Sequence, residues 1–248
     1  MTRLDPRLLL QGYATGIFPM ADSRDAHELF WVEPRRRAII PLDQFHLSRS
    51  LRRTLRSGKF TVTADRNFAG VIAACAERDE TWINAELEQA MLALHASGYA
   101  HSVEVWTGQG HERKLIGGLY GVKLGRAFFG ESMFSRRTDA SKVALAWLVA
   151  RLKVGNFSLL DCQFMTEHLA SLGAVTVERE TYVALLSAAL GARVTGGGGL
   201  GAALELPADF AEGAPDFTAL DRLLELTGAA GAGGPAGYVI AQLLGHTS

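Results

Sequence analysis

The sequence predicts an α/β chain of the α+β layered kind, a mixed sheet with helices packed on it. Residues 101–107, HSVEVWT, alternate with the period of two that a half-buried strand requires. Residues 115–132, LIGGLYGVKLGRAFFGES, read as two more strands joined as a hairpin near 123–126. Around them lie stretches with helix-start signals and helical spacing. With 248 residues and 48% hydrophobic content, the chain is long enough to bury a sizeable core.

In chain order, Asp5 and Pro6 open a short helix that runs through LLLQGYATG, Asp5 as N-cap and Pro6 in the first turn. GIFPMAD follows as a loop around Pro19. LFWVEP is a short extended piece, and residues 37–42 are another. Residues 46–57 form a helix, 60–63 a strand and 67–77 a helix. Thr81-Trp82-Ile83-Asn84 opens a helix over 85–97, which Gly98 ends at the C′ position. After the strands, Thr138 and Asp139 cap a helix over 140–153 with Val143, Ala144, Trp147 and Leu148 on its apolar face. Residues 157–162 form a strand. Thr166 caps a short helix that Gly173 ends. Residues 175–178 form a strand and 181–190 a helix before Gly191. From about residue 60 the order is β-α-α-β-β-β-α-β-α-β-α. The remainder is Gly/Ala-rich. There the sequence predicts mobility, an amphipathic helix over 216–226 and a docked apolar end at 238–244.

The formal net charge of −1 hides an asymmetry. Residues 1–66 carry twelve Lys/Arg against seven Asp/Glu, whereas residues 191–248 carry two against six. A basic front suits an anionic partner. Two isolated cysteines, Cys75 and Cys162, fit a reducing compartment, and no Cys/His spacing suggests a metal. The N-terminal stretch lacks a signal-peptide pattern, and no apolar run is long enough to span a bilayer. A cytoplasmic protein without a metal site is expected.

Two glycine patterns resemble phosphate loops. Gly196, Gly198 and Gly201 satisfy G-x-G-x-x-G, and Arg193, Gly196 and Gly198 satisfy the R-x-x-G-x-G of coenzyme A pyrophosphate loops. Both need a preceding strand and a following helix. Here a helix precedes and a proline soon follows, so a linker is expected. The basic helix is a stronger signal. Arg49, Arg52, Arg53 and Arg56 fall at i, i+3, i+4 and i+7, hence on one face, with no acidic residue on that helix. Arg35, Arg36 and Arg37 add to it. Such a stripe is a solvated face or a phosphate-backbone contact surface.

Three polar residues, Glu131, Asp161 and Gln163, stand at the ends of short apolar strands. Strand alternation puts Asp161 and Gln163 on one face and Cys162 on the other. With the polar pair toward a pocket, Cys162 faces the core and is structural rather than a nucleophile.

At this point whole motifs match a known family. GIFPM, WVEPRRRAIIPL, HLSRSLRR, TWIN, GYAHSVEVW, GGLYGVKLGRAFFGESMFSR, DASK and LLDCQ closely resemble the leucyl/phenylalanyl-tRNA–protein transferase family, over roughly residues 8–190. The tail is not covered. The resemblance implies transfer of leucine, phenylalanine or methionine from aminoacyl-tRNA to the α-amine of proteins beginning with Arg or Lys. This marks them for degradation by the bacterial N-end rule. It implies an acetyltransferase-like (GNAT-like) catalytic domain over 60–191 behind a small N-terminal domain, 1–59, with residues 192–248 as the tail. It implies no cofactor, and a monomer is expected.

The reaction is aminolysis of an ester by an amine with a pKa near 8. It requires positioning and the handling of one proton, without a covalent intermediate. The implied catalytic group is Asp161, Gln163 and Glu131. Gln163 accepts a hydrogen bond from the amine, Asp161 orients it or takes the proton by relay, and Glu131 completes the cluster. The implied aminoacyl pocket is Met20, Trp82, Leu119, Phe128 and Leu148, with Met20 where the family often has Trp. The resemblance assigns Arg49, Arg52, Arg53 and Arg56 to tRNA phosphates. The competing readings are a coenzyme A-dependent N-acyltransferase and a non-catalytic RNA-binding module.

Overall fold

The computed structural model describes residues 4–78, 81–191, 214–229 and 235–245. In the first helix, α1 (Pro6–Thr15), the Asp5 carboxylate accepts from the Arg7 N–H at 2.8 Å, and Gly16 ends the helix at φ 87°. The segment expected as a loop around Pro19 is instead a strand, β1 (Phe18–Met20), paired antiparallel with β2 (Phe30–Val32) in a two-stranded ribbon. Proline is tolerated there because an edge strand leaves N–H groups free of the ladder.

The main sheet is built from β3 (Arg36–Ile40), β4 (Thr61–Ala64), β5 (Ala100–Thr107), β6 (Lys114–Leu124), β7 (Ala127–Ser135), β8 (Leu159–Gln163) and β9 (Val175–Glu178). These seven strands lie in the order β4-β5-β6-β7-β8-β3-β9. Only β7 and β8 run parallel; the other pairs are antiparallel. The sheet is therefore mixed, as the sequence predicts. β3 comes from within residues 1–59 and is held between β8 and β9, so the N-terminal segment supplies an interior strand of the main sheet.

Helices cover both faces. On one side α1, α3 (Phe68–Ala76), α4 (Ala85–Ala96) and α7 (Arg179–Ala189) bury Tyr13, Val71, Leu87, Met91 and Leu186 against Tyr120, Val122 and Phe129 of the sheet. α3 and α4 start at Asn67 and Asn84, whose side chains accept from the Gly70 and Leu87 N–H groups. On the other side α5 (Ala140–Val154) packs against Val103, Val105, Leu119 and Leu160. Its spacing predicts one apolar face, yet it is buried almost all round, from Ala140 to Leu152. Its outer side is covered by α2 (Arg49–Arg56), α8 (Ala219–Leu226) and α9 (Pro235–Leu243). Asp139, expected as its side-chain cap, makes no cap bond. It is left-handed at φ 70° and accepts from the Thr54 hydroxyl of α2 at 3.3 Å. A four-residue helix, α6 (Glu167–Ala170), follows β8 and is capped as expected by Thr166.

The apolar C-terminal end docks as expected: Ile240, Ala241 and Leu244 are buried. So are Phe217, Leu220 and Leu224 on and before α8. Arg151 of α5, itself buried, pairs with both carboxylate oxygens of Asp221 at 2.6 and 2.7 Å and donates to the Phe217 carbonyl at 2.7 Å. The Phe217 ring stacks on His101 and Phe128. Arg193, Gly196, Gly198 and Gly201 lie outside the described residues. Among the described residues, no helix is long and apolar enough to cross a membrane, and no group of three or more His, Cys, Asp or Glu could hold a metal.

Candidate active site

β7 and β8 pair only from Ala127–Phe129 to Leu159–Asp161. Beyond that point β7 continues along β6 and β8 along β3, and a cavity of about 420 Å³ opens beside the two strands. Leu119, Met133, Leu145, Leu148, Leu160 and Leu169 give it an apolar body. Glu131 and Gln163 contribute polar groups to its wall, as do Arg78, Ser132, Thr166 and His168, and Met20 and Trp82 line it too.

Two bulges aim the polar groups. On β7 the register shifts between Tyr120 and Gly121, so that Gly130 and Ser132 are paired and Glu131 is the extra residue. On β8 the register shifts opposite Ala38 and Ile39, so that Asp161 and Gln163 are paired and Cys162 is extra. Gln163 consequently sits at φ 61°, in the left-handed region that a glutamine rarely occupies. Bulges bend a strand and redirect its side chains, often beside active sites. Gly121, opposite the first bulge, has no room for a side chain: a Cβ there would lie 2.3 Å from the Phe129 carbonyl oxygen.

The redirected side chains meet. The Gln163 amide Nε2 donates to Glu131 Oε1 at 2.9 Å. That leaves the amide oxygen of Gln163 free to accept from another donor. Asp161 is fully buried and does not line the cavity. It accepts from Arg37 Nε at 2.9 and 3.0 Å, from Arg37 Nη2 at 2.6 Å, from the Tyr182 hydroxyl at 2.7 Å and from the Gln163 backbone N–H at 2.8 Å. Asp161 therefore fixes the strained backbone of Gln163 from below. The alternation that put Asp161 and Gln163 on one face fails here because a bulge separates them. Leu160, Cys162 and Gln163 all reach the cavity wall.

Arg37 and Tyr182 were not legible as members of this network. Arg37 belongs to a run of three arginines and reads as part of the basic surface. In the structure it is buried, donates to the Gly16 carbonyl at 3.1 Å and lies over the rings of Phe18 and Tyr182. Arg35 and Arg36 of that run stay exposed, Arg36 paired with Glu178. The usable signal is strand period: Arg37 lies two residues before Ile39 on β3, and Ile39 pairs with Asp161 of β8.

Electrostatics separate the three acid and amide groups. Burial pushes the Glu131 carboxyl up to about 7, and the charge of Asp161 adds to the rise. The Tyr13 hydroxyl, the Gln163 amide and Arg37 hold it down. Burial opposes the charge of Arg37, but the hydrogen bonds and charge of Asp161 prevail and raise its pKa. Cys162 lines the cavity instead of facing away from it, but burial, then the charge of Asp161, raises its thiol far above the range where a thiolate forms.

Four of the five residues expected around an aminoacyl group, Met20, Trp82, Leu119 and Leu148, line this cavity. Phe128 does not. It is fully buried and packs on Phe157 and Phe217. Arg49, Arg53 and Arg56 are exposed on α2, while Arg52 is half-buried. Leu51 and Leu55 hold the opposite face of that helix in the core.

Comparison with known proteins identifies the family. The family model described as leucyl/phenylalanyl-tRNA protein transferase matches residues 39–187, and the model of that family's N-terminal domain matches residues 2–35. A leucyl/phenylalanyl-tRNA–protein transferase of Rhizorhabdus wittichii is 55% identical over the whole of both chains. One of Novosphingobium aromaticivorans is 51% identical over 99% of this chain and 97% of its own. A solved structure described as FemX aligns at 13% identity over 59% of this chain and 60% of that one, with a TM-score of 0.49, too loose a likeness to carry an argument. Two family models and full-length relatives at this identity leave one assignment: the chain belongs to the leucyl/phenylalanyl-tRNA protein transferase family and is an aminoacyltransferase.

Proposed function

We propose that the chain, acting as a monomer without a cofactor, transfers leucine, phenylalanine or methionine from aminoacyl-tRNA to the α-amine of proteins beginning with Arg or Lys. The transferred residue marks those proteins for degradation by the bacterial N-end rule. The observation that carries this reading is the Glu131–Gln163 pair, 2.9 Å apart, set into the wall of a cavity otherwise mostly apolar. An unbranched or γ-branched side chain fills the apolar body among Leu119, Leu145, Leu148 and Leu160, with Met20 and Trp82 at the wall. Flexible Met20 tolerates several shapes. Pockets of this kind discriminate by about 1–3 kcal/mol per methylene, so acceptance of more than one hydrophobic amino acid is natural.

In the proposed reaction the neutral amine attacks the ester carbonyl, forming the C–N bond. The C–O bond to the terminal ribose then breaks. Gln163 accepts a hydrogen bond from the attacking amine through its free amide oxygen. The Glu131 carboxylate takes the proton that the amine sheds and returns one to the departing ribose oxygen. A carboxyl with a pKa near 7 is matched to that exchange at neutral pH. Asp161, saturated by donors, is a positioning residue rather than the base. Arg49, Arg52, Arg53 and Arg56 hold tRNA phosphates, since A-form RNA is read mainly through backbone and shape. The GNAT-like character of the catalytic domain belongs to the same proposal.

The test is transfer of radiolabelled phenylalanine from Phe-tRNA to a peptide beginning with Arg, without coenzyme A. Transfer that vanishes in Gln163→Ala, with the fold intact by circular dichroism, supports the reading. Absence of transfer by the unaltered protein, with tRNA binding retained, assigns it instead to RNA binding alone. A requirement for coenzyme A would establish the other acyltransferase reading.

A further inference from the structure

A second cavity, of about 380 Å³, adjoins the first. Arg78, Met133 and His168 line both. The rest of its wall includes Glu77, Phe134, Arg136 and Ser141. Its chemistry differs from that of the first cavity. Arg78 and Arg136 supply cationic donors, and the one carboxylate, Glu77, is spent on Arg136 at 2.5 Å. That pair is solvent-exposed on both sides, so exchanging one partner costs little. His168 Nε2 is buried with no hydrogen-bond partner among the described residues. A buried, unused ring nitrogen is costly unless something fills the space in front of it.

The cavity is also in the right place for the donor. With an amino-acid side chain in the apolar cavity and its ester carbonyl at Glu131 and Gln163, the terminal ribose and its phosphate must leave along one wall. From Glu131 to Met133, β7 advances about 7 Å, roughly the length of one ribose unit. Met133 is where the second cavity begins. Farther on, the cavity reaches Ser141 in the first turn of α5, and Asp139 beside it touches Thr54 on the arginine helix.

We propose that this second cavity binds the 5′-phosphate of the terminal nucleotide of the aminoacyl-tRNA, with Arg136 and Arg78 supplying charge and His168 Nε2 a hydrogen bond. The proposal rests on the reading of the first cavity as the aminoacyl site. It places one phosphate between the ester and the start of α5, where Asp139 meets Thr54 of the arginine helix. Burial and the nearby Lys142 lower the pKa of His168, so its ring is neutral at pH 7 and presents an N–H in the tautomer the phosphate selects.

Two probes test it: 3′-deoxy-3′-(phenylalanylamino)adenosine, a stable amide analogue of the donor end, and its 5′-monophosphate. Each is measured as a competitive inhibitor of transfer. The expected result is about tenfold tighter inhibition by the monophosphate, the scale of one charge-assisted hydrogen bond. That preference should fall to about twofold or less in Arg136→Ala, which lines the second cavity alone and should leave the nucleoside's own affinity unchanged, and it should shrink in His168→Ala. Equal inhibition by the two probes, or a preference that survives both substitutions, overturns the proposal. If neither probe inhibits the unaltered enzyme, the aminoacyl-site reading falls as well, which separates the two failures. A peptide KM that rises in Glu77→Ala, with no phosphate preference, assigns the cavity to the basic acceptor side chain and also overturns it.

Discussion

Two arginine–aspartate pairs join parts of the chain far apart in sequence, and they do different work. In Arg37–Asp161 both partners are buried, and the carboxylate also accepts from Tyr182 and the Gln163 N–H. In Arg151–Asp221 the arginine is buried but the aspartate side chain is 47% exposed. The first joins β3, β8 and α7 beneath the Glu131–Gln163 pair, so its geometry is transmitted to the site. The second pins the C-terminal α8 onto α5, on the other face of the sheet. An enclosed pair is expensive to form and costly to break, because either partner alone is an uncompensated buried charge. A half-open pair leaves water to take over part of the loss.

The comparison breaks most visibly at Asp161. Asp161→Asn leaves Arg37 buried and unpaired, and should lower stability by about 3–5 kcal/mol and abolish transfer. The check is a shift in urea midpoint at constant m-value.

Next comes Glu131, which borders the enclosed pair. Its carboxyl is raised from 4.5 to about 7 in the fold. The folded state therefore holds this proton more tightly than the unfolded chain does. The resulting stabilisation is complete below pH 4.5 and is lost as pH rises to about 7. Relative to Glu131→Gln, the unaltered protein should lose about 3 kcal/mol across that window. Parallel stability curves for the two proteins would show that the carboxyl is not held protonated.

A smaller effect is expected at the half-open pair. Asp221→Asn should cost about 1–3 kcal/mol, since Arg151 keeps its bond to the Phe217 carbonyl. Transfer by the folded fraction should be unchanged. A loss at Asp221 as large as at Asp161 would erase the distinction between the two pairs.

The least costly change is on the surface. Arg53→Ala should leave thermal stability intact and reduce the salt dependence of tRNA binding by about one phosphate contact, about 0.7–0.9 in the log–log slope. An unchanged slope removes Arg53 from the RNA contact.

The strands and helices of the mixed sheet were legible because alternation and caps act locally: Asp5 and Thr166 each mark a helix start in the sequence and in the structure. The candidate site was half legible. Glu131, Asp161 and Gln163 were visible as misplaced polar residues. Their orientation was not, because a bulge adds one residue to a strand without a compositional signature. Arg37 was read as surface for a related reason. Its partner lies 124 positions away on a strand that only the assembled sheet brings beside it. Phe128 does not line the cavity, and its ring stacks on the C-terminal Phe217, a contact outside the stretch that resembles the family.

The most direct test of the central claim is the pH dependence of single-turnover transfer from Phe-tRNA to an Arg-initiated peptide, in the unaltered enzyme and in Glu131→Gln. Two groups must be deprotonated in the proposed reaction, Glu131 near pH 7 and the amine near pH 8. Below pH 7 the logarithm of the rate should therefore rise with a slope of about two in the unaltered enzyme. In Glu131→Gln the rate should fall about 10²–10⁴-fold and the slope should drop to about one, the amine alone remaining. The same slope and rate in both proteins would contradict the assignment of Glu131 as the proton acceptor.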